Sequence, residues 1–122
     1  MRSDRKNLIV DLTLEFALDV VSFTDILRNE KKFELSGQLF RSGTSIGANI
    51  REAQNAESQA DFVHKFKIAA KEADETQYWL ILCEKSEHLP TPPKELHDKL
   101  ESIIKVITKI VVTTKNNKII KS

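Results

Sequence analysis

Apolar side chains recur at intervals of three and four along most of the chain, and that recurrence predicts helices. From residue 4 to residue 28, Ile9, Leu12, Phe16, Val20, Phe23 and Leu27 form one stripe. Leu8, Ala17, Val21 and Ile26 broaden it beyond a simple two-stranded seam. The polar run Asn29-Glu30-Lys31-Lys32 makes a short turn, and a second helix is expected over residues 33–55. Ser58 is placed to cap the amide of Asp61, which opens a third helix reaching about residue 88. Its stripe is Phe62, Phe66, Ala69, Ala73, Thr76, Leu80 and Cys83, with Ile68, Trp79 and Leu82 suggesting a second buried face. Pro90, Pro92 and Pro93 stop that helix, since proline lacks an amide and restricts the residue before it. Thr91 is the expected cap of a fourth helix, with Pro92 in its tolerated first position. Leu96, Leu100, Ile103, Ile107, Ile110 and Thr114 then form a heptad stripe, flanked by Ile104 and Val111. Residues 115–122 are expected to fray.

The second helix is the one that local propensity opposes. All three glycines, Gly37, Gly43 and Gly47, fall within it. Each costs a helix about 1 kcal/mol relative to alanine, and Ser42, Thr44, Ser45 and Asn49 are also weak helix formers. Yet Leu35, Leu39, Ser42, Ile46, Asn49 and Ala53 keep helical spacing. Small residues held on a helical face point to close packing by a neighbour at Ser42, Gly43 and Gly47, with Ala48 widening the patch.

Four helices of roughly 22–30 residues are each about 33–45 Å long. Joined by short links, they predict an all-α, antiparallel up-down-up-down four-helix bundle, one domain over residues 1–122. In that topology both termini and the link between the second and third helices share one end. Charge sharpens the picture. Residues 1–6 balance to +2 and residues 94–122 to +4, so with a net charge of +1 the remainder carries −5. The molecule is an acidic body with basic ends. Arg2, Arg5, Lys6, Lys109, Lys115, Lys118 and Lys121 are the candidate contacts to a nucleic-acid backbone. The single Cys83 cannot form an internal disulfide, and the N-terminal stretch, broken by Asp11 and Glu15, does not read as a signal peptide. No apolar run approaches a membrane span, so the expected place is the cytoplasm.

Facing residues of the second and third helices should sum to roughly 113. Arg41 then meets Glu72 as a partly buried ion pair, Gln38 meets Glu75, and Asn49 lies near His64 and Lys65. Glu52 is placed to cap or pair one turn beyond Asn49. Glu72 and Glu75 lack the histidine three residues on that di-iron bundles use, so no metal or other cofactor is expected. Cys83 and His88 lie on different faces, which gives no nucleophile pair. Ser42-Gly43-Thr44-Ser45 lacks the glycine-lysine-hydroxyl pattern of a phosphate loop. No catalytic constellation is present, and a non-enzyme is expected.

The run from Gln38 to Ala53, followed by Ser58, Asp61-Phe62, Lys65, Ile68-Ala69, Lys71-Glu72, Glu75-Thr76 and Tyr78-Trp79-Leu80, resembles a family of four-helix-bundle proteins. Its members are often encoded in intervening sequences of bacterial 23S ribosomal RNA genes, and the family carries a ribosomal-protein label by that association. The resemblance covers nearly the whole chain and is densest from Gln38 to Leu82. It implies a closed homopentameric ring, and kinship with the accessory variability protein of diversity-generating retroelements, a basic barrel that binds nucleic acid and a reverse transcriptase. The implied role is a binding scaffold for RNA, a ribonucleoprotein or another protein. The chain departs from the basic relative in charge, since +1 per subunit gives only about +5 for a ring of five.

Overall fold

The computed structural model describes the backbone of residues 4–121 and the side chains of residues 8–117. All regular structure among the described residues is helical: α1 (Asp4–Asn29), α2 (Phe33–Ala53), α3 (Gln59–Lys85) and α4 (Lys94–Lys121). Each helix packs on two others, in the cycle α1, α2, α3, α4 and back to α1.

Side chains that meet across each interface set the direction of the helices. A Cβ on Gly43 would touch Val20, and one on Gly47 would touch Thr13, while the Ser36 hydroxyl donates to the Thr24 carbonyl at 3.0 Å. Positions in α2 climb as their α1 partners fall, so the two run antiparallel. Between α2 and α3 the same follows from Arg41 with Glu72 and Glu52 with Lys65. Gln59 Nε2 donates to the Thr114 carbonyl at 3.1 Å, and Glu84 lies 2.8 Å from His97 Nε2 without hydrogen-bond alignment, which sets α3 against α4. These registers bring the early part of α1, the end of α2, the start of α3 and the late part of α4 to one end of the molecule.

The stripes read from sequence form the core. Ile9, Phe16, Val20 and Leu27 of α1 meet Leu39, Ile46 and Ile50 of α2; α3 adds Phe66, Ala69 and Leu80, and α4 adds Leu96, Leu100, Ile103 and Ile107. Phe62 and Phe66 stack with ring centroids 4.6 Å apart. The flanking residues differ from expectation. Leu8, Val21 and Ile26 point outward instead of broadening the buried stripe, and Leu82 and Ala48 are exposed as well. Each helix touches only two neighbours, so one narrow stripe is enough to bury.

Helix ends differ too. The first is closed by a Schellman arrangement: the amide of Lys32 bonds the Leu27 carbonyl and that of Lys31 the Arg28 carbonyl, both at 2.8 Å. Lys31 takes the left-handed conformation there, at φ 64°, where glycine is usual. The second helix ends at Ala53 rather than residue 55, and the third at Lys85 rather than 88, because Ser86 is already extended. Ser58 caps the Asp61 amide at 3.0 Å, as its spacing implies. Thr91 does not cap α4. That helix opens two residues beyond Pro92, with Leu96 N–H bonding the Pro93 carbonyl at 3.0 Å, and Pro92 is buried instead. The stretch expected to fray continues as helix to Lys121.

Candidate functional site

The polar contacts between α2 and α3 centre on Arg41. Its Nη1 donates to Glu72 Oε1 at 3.1 Å, and its Nη2 to Glu75 Oε2. Glu75, expected opposite Gln38, is therefore held by Arg41. It also accepts from Trp79 Nε1, one turn along α3, at 3.0 Å. Glu72 is the more enclosed partner, with its side chain 20% exposed against 50% for Arg41. Half-open pairs of this kind contribute little stability. The bond to Glu75, then that to Glu72, raises the guanidinium pKa. Arg41, then Trp79, holds the Glu75 carboxyl below the usual carboxylate range. A carboxylate so held stays ionised near neutrality and is a poor proton donor.

Glu75 makes this contact readable through the chain's single tryptophan. Because its folded pKa is depressed, the stabilisation it provides is complete above the ordinary carboxylate pKa and is lost as pH falls through the lowered value. Trp79 emission should therefore change on acidification with a midpoint below that of an unperturbed glutamate. Glu75→Gln should abolish that step. A midpoint at the ordinary glutamate value would contradict the contact.

Of the other candidate contacts, Asn49 bonds within its own helix, whereas Glu52 and Ser42 reach across from α2 to α3. Asn49 is half-buried and bonds the Ser45 carbonyl of its own helix at 2.9 Å. Glu52 pairs with Lys65 at 2.9 Å, which raises the lysine pKa. Ser42 and Gly43 are buried; Gly47 is half-buried. Thr76 Oγ1 lies 2.9 Å from Ser42 Oγ and 2.7 Å from the Glu72 carbonyl. One hydroxyl proton serves only one of these, so Ser42 gives its proton to Thr76 while Thr76 gives its own to the carbonyl.

Burial pushes the Cys83 thiol up to about 11, while His88 is exposed at the far side of the α3 cap. Among the described residues, no three of His, Cys, Asp and Glu gather in a metal-binding group. A hollow of about 900 Å³ is lined by Phe33, Leu35, Trp79, Leu82 and Leu89 together with Lys31, Lys32, Glu34 and Gln38.

Of the basic candidates, Lys109 and Lys115 are exposed on α4. Arg2 lies outside the described residues, as do the side chains of Arg5, Lys6, Lys118 and Lys121. Lys115 sits beside Lys67 of α3, which the sequence reading did not single out. The antiparallel register of α3 and α4 about the proline link was the signal that could have found it.

The sequence profile of the 23S rRNA-intervening sequence protein family matches residues 5–109. The chain belongs to this family. A solved member of the S23 ribosomal protein family from Bacteroides thetaiotaomicron, itself of unknown function, is 44% identical to it. The match covers 88% of this chain and 97% of that one, with a TM-score of 0.82. No curated protein matches. Neither the intervening-sequence family's description nor the Bacteroides protein's names a reaction. No described helix of this family member is long and apolar enough to cross a membrane.

Proposed function

We propose that this intervening-sequence family member is a non-enzymatic, self-associating helical scaffold of the cytoplasm that engages RNA or a ribonucleoprotein through its basic end. The observation that carries the reading is the gathering of helix ends: the start of α3 and the late part of α4 lie side by side, and exposed Lys67 and Lys115 adjoin there. Like charges brought together at one end favour a polyanion. Self-association is supported by the outer face of α1, where Leu14 and Leu18, one turn apart, are 59% and 60% exposed. The family resemblance implies that the assembly is a ring of five. Filter binding of a structured RNA over a salt series tests the basic end. Binding at low salt that weakens steeply as salt rises is expected, because cation–phosphate contacts release counterions. Absence of affinity at low salt would overturn it.

The net charge of +1 favours a second reading, a scaffold that contacts only proteins. A multimer that retains a protein partner and binds no RNA at any salt would select it.

A further inference from the structure

The notch between the start of α3 and the end of α4, about 260 Å³, is lined by Gln59, Val63, His64, Lys67, Thr114 and Lys115. No carboxylate lines it. Asp61, in the same first turn of α3, is committed elsewhere, its Oδ2 accepting the Glu57 amide at 3.3 Å. The walls are fixed to one another, because Gln59 bonds the Thr114 carbonyl across the two helices.

The two lysines differ from the paired lysines of the bundle. Lys65, Lys99 and Lys105 each have a carboxylate within 4 Å, on Glu52, Asp19 and Glu101. Lys67 and Lys115 have none among the described residues, and each other's company instead. The proximity of Lys67 holds the Lys115 ammonium below the ordinary lysine range. Side by side, two ammonium groups raise each other's energy, and an anion placed between them relieves both. A polar rim, here the His64 ring and the Thr114 hydroxyl, supplies further hydrogen-bond donors to an oxyanion.

We propose that Lys67 and Lys115, with His64 and Thr114 at the rim, seat a phosphate group in this notch. The group is either a backbone phosphate of nucleic acid or free phosphate. For the nucleic-acid source the inference rests on the function proposed above; the seat itself does not.

The test uses the full chain, Lys67→Gln/Lys115→Gln, and Lys105→Gln as a control. Residues 59–67 and 114–115 are followed by amide NMR during titration with inorganic phosphate, and RNA affinity is measured in parallel. Phosphate should shift those amides in the native protein and the control but not in the double variant. RNA affinity should fall at least about tenfold at low salt in the double variant, and the salt slope by about 1 per lysine removed. If RNA binds the native and double-variant proteins alike and phosphate moves nothing, the seat is overturned while RNA binding stands. If phosphate shifts the amides and RNA does not bind, the seat holds and free phosphate is its ligand. If neither ligand is sensed, both seat and RNA binding fail.

Discussion

Gly43→Ala should lower stability by about 1–2 kcal/mol, although alanine is the better helix former by about 1 kcal/mol. A Cβ at residue 43 would stand 2.9 Å from both methyl carbons of Val20 and 3.3 Å from its Cβ. Turning the valine about χ1 cannot clear both contacts: two of the three positions on its Cβ face residue 43, so at least one methyl always stands there, and a helical valine has one strongly preferred rotamer. Relief requires α1 to move away from α2, and overpacking of that kind costs about 1–3 kcal/mol. The other glycines give the internal comparison. Nothing lies within 4 Å of a Cβ on Gly37, so Gly37→Ala should gain about 1 kcal/mol. A Cβ on Gly47 would meet Thr13 at 3.2–3.4 Å, tight but not prohibitive, so its loss and gain should nearly cancel. Urea melts at one fixed protein concentration check the order, since the proposed self-association would make apparent stability concentration-dependent. Equal midpoints for the variants at 43 and 37 would mean that the α1–α2 contact is loose.

Thr76→Val should cost about 1–3 kcal/mol, because it leaves the buried Ser42 hydroxyl without the acceptor it uses across the α2–α3 interface. The shape of the side chain is nearly kept, so the loss reports the polar group. Ser42→Ala on the same background should recover most of it, since removing both partners of a buried bond is far cheaper than removing one. The double-mutant cycle reads the coupling directly. If the single substitution costs nothing, Ser42 bonds a carbonyl of its own helix and the link to Thr76 contributes nothing.

The four helices were legible because their stripes are regular and each faces only two neighbours. The glycine-bearing helix was legible against its own propensities because Leu35, Leu39, Ser42, Ile46, Asn49 and Ala53 keep helical spacing; of these Leu39, Ser42, Ile46 and Ala53 are buried, with Ile50 in place of Asn49. The meeting of Arg41 and Glu72 follows from antiparallel register alone. The role of Glu75 did not emerge, because a register argument ranks backbone positions while Arg41 is long enough to reach two turns' carboxylates. The bond from Trp79 to Glu75 carried a sequence signal, their spacing of four, that the apolar reading of Trp79 hid. Helix ends were least legible. Lys31 adopts a conformation that nothing in its residue type advertises, and α3 ends at Lys85, several residues before the first proline. Leu14 and Leu18 are conspicuous only once the core is placed elsewhere.

The proposed scaffold is a bundle that associates with further copies of itself and presents lysines at one end. Native mass spectrometry of the full chain tests it most directly. A species of about 70 kDa, five copies of 13.9 kDa, is the result predicted, and it should break up in Leu14→Glu/Leu18→Glu while the helical signal persists. A chain that remains 13.9 kDa at micromolar concentration would contradict it.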